Sequence, residues 1–225
     1  MDARTTLPSG TRAEVALPPE HHRPYGGARL GIALAPDIMG LRPLFDALCD
    51  RLAREHGWVV CAPEPFAGHE DWTLEQRMAA ARELSDERQI GDLVAAAELT
   101  GCDRTAVIGF CMGGMYALKA AGTGRFDRAV SFYGMIRVPE GWRGAGQKDA
   151  LEHLAGRPDT PVLALVGGRD TYTPPADVEA LRGLPDVTVV VYREAEHGFV
   201  HDPARPTHRA EDAADAWRRV VEFLS

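Results

Sequence analysis

The chain has 225 residues, enough for one large domain or two small ones, with an apolar fraction of 45% and a charged fraction of 26%, as in an ordinary globular protein. Its net charge of −8 argues against a nucleic-acid surface, which needs a basic face, and against attachment to anionic membranes. The N-terminal MDARTTLPSG lacks the apolar stretch of a secretory signal, and no apolar run reaches the roughly 18–20 residues of a membrane span.

Cys49, Cys61, Cys102 and Cys111 show neither C-x-x-C spacing nor partner histidines at zinc-finger spacing. These features predict a cytoplasmic protein with reduced thiols, no metal and no cofactor.

In chain order, RAEVALP (12–18) predicts an edge strand, and LGIALAP (30–36) a strand buried on both faces. Residues 41–56 predict a helix with Leu44, Leu48, Leu52 and Ala53 on its buried stripe and Gly57 as its stop. WVVCAP (58–63) is a short buried strand, followed by a Pro- and Gly-containing loop over 64–72. Helices are expected at 73–84 and 86–100, then a strand at 104–110 and a helix at 112–121.

DRAVSFYG (127–134) predicts a strand, 147–155 a helix and PVLALVGG (161–168) a strand. Pro174 and Pro175 open a helix after Thr173 as N-cap. VTVVVY (187–192) is the last strand, and 207–224 the last helix, with Ala210, Ala214, Trp217, Val221 and Leu224 on one face. Strands alternating with helices imply parallel pairing and right-handed crossovers. The expected fold is α/β, a mostly parallel sheet flanked by helices on both faces, in one domain.

The chemistry concentrates at VIGFCMGGMYAL (107–118), which reads as strand, abrupt turn and helix. Cys111 sits at the tip, where such sheets build active sites at the carboxyl ends of their strands. Gly109 and Gly113 flank it because side chains there would strike the adjoining helix and strand. The first N–H groups of the helix can receive an oxyanion and favour a thiolate. A buried structural cysteine is the alternative reading. No serine competes, since Ser9, Ser85, Ser131 and Ser225 lack the G-x-S-x-G setting.

A nucleophile at such an elbow calls for an acid after a later strand and a histidine after the last one. Asp170 ends PVLALVGGRD and His197 follows VTVVVYREAE, in that order. Histidine would shuttle the proton and the acid would orient it. The pair His197 and His201 has metal-ligand spacing only on a helix, and Gly198 with the strand exit argues against one. Phe66, Trp72, Tyr133 and Trp142 are candidate pocket walls, with Tyr133 foremost because its strand ends beside the site.

GFCMGG, GGRD and AEHGF, in that order and spacing, resemble the dienelactone hydrolase family over about Leu30 to the C-terminus. The resemblance implies an α/β-hydrolase fold without a large cap domain, with Cys111, Asp170 and His197 as triad. It also aligns APDIMG (35–40) with the family's Q-E-I-F-G. Asp37 then stands for the glutamate that activates the cysteine, the alternative being that it caps the following turn, and Ile38 supplies an oxyanion N–H beside that of Met112.

The family's substrate-carboxylate arginines differ here. His201 occupies one such position, four residues after the histidine, and Gly198 replaces a serine. Arg77 and Arg82 are the candidates for a second arginine. The implied function is hydrolysis of a small lactone or activated ester through a thioester. A general carboxylesterase or thioesterase, or a non-catalytic ligand binder or redox sensor, are the alternatives. The last helix, with Trp217 inward on the sheet rather than at a dimer face, predicts a monomer.

Overall fold

The computed structural model describes residues 4–20, 30–156 and 160–225. Among these, strands β1 (Arg4–Thr6), β2 (Arg12–Ala16), β3 (Leu30–Ala35), β4 (Val59–Pro63), β5 (Arg104–Phe110), β6 (Arg128–Phe132), β7 (Val162–Gly167) and β8 (Val187–Tyr192) form one sheet, ordered β1-β2-β4-β3-β5-β6-β7-β8. Pairing is parallel from β4 through β8 and antiparallel among β1, β2 and β4. The helices are α1 (Pro43–His56), α2 (Leu74–Ala80), α3 (Asp86–Leu99), α4 (Met112–Ala121), α5 (Ala150–Ala155), α6 (Pro175–Arg182) and α7 (Ala210–Leu224). This is the α/β-hydrolase architecture, and no large cap domain covers the carboxyl edge of the sheet among the described residues.

The central strands alternate between two cores, as a sheet covered on both faces must. On β3, Ile32 and Leu34 face α1 and α7, while Ala33 and Ala35 face α3 and α4. On β5, Ile108 and Phe110 take the first side and Val107 the second. Each large apolar side chain so buried contributes about 1.5–3 kcal/mol. The small residues of α4, among them Ala117, Ala120 and Ala121, allow that helix to lie directly on the sheet.

Three expectations shift. RAEVALP is not the edge, because β1 pairs outside it; a three-residue RTT strand offers too little pattern to read. The helix after Thr173 starts at Pro175 with Pro174, not Thr173, as its N-cap. The buried face of α7 is Ala213, Ala216, Val220 and Leu224, with Trp217 and Val221 half-buried beside it and Ala210 and Ala214 exposed. No described helix is long and apolar enough to cross a membrane.

Candidate active site

β5 delivers Cys111 into a left-handed turn, with φ 57° and ψ −118°, and α4 begins at the next residue. Such a conformation costs a residue with a Cβ about 1–3 kcal/mol. Surrounding bonds hold it: the Cys111 N–H donates to Phe132 O at 3.0 Å, and Met115 N–H donates to Cys111 O at 3.0 Å. The flanking glycines are sterically required. A Cβ on Gly109 would lie 2.0 Å from Gly113 O, and one on Gly113 would lie 2.2 Å from Ala35 O. Met112 is the first residue of α4, so its N–H has no carbonyl one turn back to bond.

Two of the other cysteines are poor nucleophiles. Burial pushes the Cys61 thiol up to about 12 and the Cys49 thiol well above its usual value. Cys102 precedes β5, at the opposite end of that strand from Cys111.

Asp170 lies in the turn after β7, and His197 in the loop after β8. Asp170 Oδ2 accepts from His197 Nδ1 at 2.8 Å, while Oδ1 accepts from Tyr172 N–H at 2.8 Å. The carboxylate is therefore fixed from both sides and buried. The other imidazole nitrogen, Nε2, is buried and has no hydrogen-bond partner. Burial disfavours the imidazolium, but Asp170 and Cys111 outweigh it and raise the His197 pKa to about 10. Since Asp170 occupies Nδ1, Nε2 is the nitrogen left for Cys111. Tyr133 and Tyr172 pack against the ring, with centroids 5.2 and 4.9 Å away.

Cys111 and His197 open onto a cleft of about 440 Å³. Asp37, Ile38, Met39 and Arg42 from the segment after β3, Leu74 and Met78 from α2, and Met135, Trp142, Tyr172, Asp202 and Arg205 complete its lining. Arg205 crosses over Gly198, which has φ 78°; a Cβ there would lie 2.7 Å from its guanidinium nitrogen. Among the described residues Arg205 makes no side-chain hydrogen bond or salt bridge. No three His, Cys, Asp or Glu side chains of the described residues converge as metal ligands.

The structure thus brings Cys111, Asp170, His197, Ile38, Met112 and Asp37 to one place, with Trp142 on the cleft wall. Four residues expected to contact substrate do not reach the cleft. Arg77 is buried against Glu64, its Nη1 donating at 2.8 Å to Oε1, and it also donates to the carbonyls of Trp72, His69 and Glu70. Phe66 packs on Arg77 and Trp72, and it lines a separate hollow of about 270 Å³ that includes neither Cys111 nor His197.

His201 is fully buried, and both its ring nitrogens are taken, by Tyr133 and Asp37. Tyr133 is likewise buried behind His197. Of the two readings of Asp37, activation of Cys111 or a cap on the following turn, the bonds match the cap. Its carboxylate accepts from Met39 N–H, from both terminal nitrogens of Arg42 and from His201, and no hydrogen bond joins it to the sulfur. Arg205, Met39, Met78, Met135 and Tyr172 were not anticipated. Nothing local in the sequence marks them, because they converge only through tertiary packing.

The model of the dienelactone hydrolase family matches residues 17–225. The chain belongs to that family. A carboxymethylenebutenolidase of Rhodococcus opacus is 33% identical over 206 residues, covering 86% of this chain and 79% of that protein. A Yersinia pestis protein provisionally named a carboxymethylenebutenolidase is 29% identical, covering 98% of this chain and 86% of its own length. A crystal structure from Klebsiella pneumoniae, provisionally named a dienelactone hydrolase, superposes with a TM-score of 0.84 at 24% identity, covering 98% of this chain and 96% of that one. At that identity the likeness speaks for the fold. As a member of the dienelactone hydrolase family, the chain is a carboxylic ester hydrolase.

Proposed function

We propose that this hydrolase cleaves a small lactone or activated ester by acyl transfer to Cys111, with His197 as proton shuttle and Asp170 as its orienting acid. One observation carries the reading: His197 is anchored by Asp170 through Nδ1, and its buried Nε2, which no other group occupies, is left to interact with Cys111. At neutral pH the proton shared by Cys111 and His197 rests on Nε2, giving thiolate and imidazolium. The thiolate attacks the carbonyl carbon, a C–S bond forms, and the oxyanion rests on the N–H groups of Ile38 and Met112. The C–O bond then breaks, and the leaving oxygen takes the proton from Nε2. Water gives a proton to Nε2, attacks the thioester and releases the acid with Cys111 as thiolate.

A thiolate is also a good leaving group, so the tetrahedral intermediate returns to substrate unless the other leaving group is better. Enol lactones and activated esters meet that condition; alkyl esters and amides do not. Arg205, exposed and unpaired at the cleft beside His197 and Gly198, suits a substrate with an anionic substituent. A second reading, a general esterase of varied acyl groups, is favoured by the methionine-rich wall of Met39, Met78 and Met135, since methionine adapts to irregular shapes.

Turnover of a dienelactone, followed by ultraviolet absorbance beside a p-nitrophenyl ester, with Cys111→Ala as control, tests the proposal. Turnover of both, lost in the variant, is the expected result. Ester turnover alone selects the second reading, and turnover that survives Cys111→Ala overturns the assignment of the nucleophile.

A further inference from the structure

Four residues beyond His197 the chain places a second histidine–aspartate pair, and the proposed chemistry does not use it. His201 Nε2 lies 2.9 Å from Asp37 Oδ2, and Nδ1 lies 2.5 Å from the Tyr133 hydroxyl. The His201 side chain is wholly buried and stacked on Phe45, with ring centroids 5.7 Å apart. Burial opposes ionisation of Asp37, but His201 and Arg42 hold its carboxyl well below the usual carboxylate range. An ionised Asp37 only accepts, so Nε2 carries the hydrogen, and with the imidazole neutral Nδ1 accepts from the Tyr133 O–H. Burial and the nearby Cys111 push the Tyr133 phenol well up, so it keeps the proton it donates. Every donor in the chain has an acceptor.

What this chain of bonds connects is informative. At one end, Asp37 caps its own turn: Oδ1 accepts from Met39 N–H at 2.9 Å, and Asp37 O accepts from Gly40 N–H at 2.9 Å. Ile38, whose N–H is the proposed oxyanion donor, sits inside that turn. At the other end, Tyr133 is held at φ 41°, next to Phe132, whose carbonyl accepts the Cys111 N–H. His201 itself belongs to the loop that carries His197. One buried imidazole therefore ties together the elbow side, the oxyanion turn and the histidine loop.

We propose that His201 is a positioning residue that, bonded between Tyr133 and Asp37, fixes the Asp37–Gly40 turn and so aims the Ile38 N–H at the oxyanion. This rests on the reading of Cys111 as nucleophile and of Ile38 as oxyanion donor. It assigns His201 no contact with substrate and no proton in the reaction. A donor displaced by a fraction of an ångström weakens stabilisation of the transition state while leaving the bound ester and the thiolate intact. The signature is a loss in kcat alone.

The test measures kcat and KM on a p-nitrophenyl ester and the alkylation rate of Cys111 by iodoacetamide, which reports the thiolate and needs no oxyanion hole. For His201→Leu the expected result is a loss in kcat of about 10- to 100-fold, with KM within about threefold and alkylation within about twofold. Tyr133→Phe, which removes one hydroxyl, should lose about three- to tenfold in kcat, and adding it to His201→Leu should cost little more.

An unchanged kcat overturns the proposal, as does a rise in KM alone or a loss of alkylation matching the loss of kcat. If His201→Leu does not fold, Tyr133→Phe decides by the same three readouts. Wild-type protein alkylated at Cys111 separates this proposal from the one beneath it. If that protein still turns over ester, the assignment of Cys111 fails, whatever the His201 variants do.

Discussion

Two of the histidine–aspartate pairs among the described residues lie four residues apart, and they differ in one nitrogen. His197 is bound to Asp170 through Nδ1 and leaves Nε2 unbonded near Cys111 and the cleft. His201 is bound to Asp37 through Nε2 and closes its other nitrogen on Tyr133. The first pair has a free hydrogen-bonding position and can move a proton to a reacting atom. The second has none and can only hold its neighbours. His197 is thus distinguished from His201 by the nitrogen it leaves unsatisfied, since buried imidazoles normally satisfy both.

The sharpest way to break this comparison is to neutralise each aspartate in turn. Asp170→Asn should lower kcat by about 10⁴-fold, because the amide holds the wrong tautomer toward Cys111. Asp37→Asn should cost about 10- to 100-fold, through the Ile38 turn alone. Steady-state kinetics on one activated ester compares them, and equal losses would erase the distinction.

Stability separates holding from chemistry. The buried Glu64–Arg77 pair also supports the oxyanion turn, because Glu64 Oε2 accepts from Leu41 N–H at 2.8 Å. Arg77→Met leaves Glu64 uncompensated and should cost about 3–5 kcal/mol of folding stability. The denaturation midpoint should fall while both histidine–aspartate pairs keep their bonds. Loss of activity in proportion to a broken His197–Asp170 bond, read from the imidazole resonances, would contradict that separation.

The pH dependence of the first pair has a definite sign. The His197 pKa is raised to about 10 in the folded protein, above the roughly 6.5 of an unfolded chain. Its contribution to stability is therefore complete below about pH 6.5 and lost as pH rises toward 10. A pH series of thermal midpoints should slope downward over that interval, and Asp170→Asn should flatten it. A smaller effect is expected at the cleft rim. Arg205→Gln should raise KM about tenfold for an anionic ester and leave a neutral analogue unchanged. Equal shifts for both would remove Arg205 from substrate recognition.

The sheet, its strand order along the chain and the elbow were legible because each rests on local pattern. Apolar runs mark strands buried on both faces, and the glycines around Cys111 answer to clashes within a few residues. Asp170 and His197 were found from position after strands β7 and β8. Of the aromatic cleft walls read from the sequence, only Trp142 lies on the cleft. Arg77 and Phe66 sit near the site in sequence order, but Glu64 draws one inward and the other packs on it. On α7 Leu224 is buried as read, but Ala214, Trp217 and Val221 each lie one residue past a buried position, since alanine carries little signal about which face is buried. His201 carried spacing but no sign of Tyr133 and Asp37 as its partners, because those bonds span 68 and 164 residues.

The central claim is that Cys111 takes the acyl group, and intact-mass spectrometry during turnover of an activated ester tests it most directly. A rapidly quenched sample should carry one acyl group, mapped by peptide digestion to Cys111 and absent in Cys111→Ala. An acyl group on another residue, or undiminished turnover in Cys111→Ala with no adduct, would contradict the account.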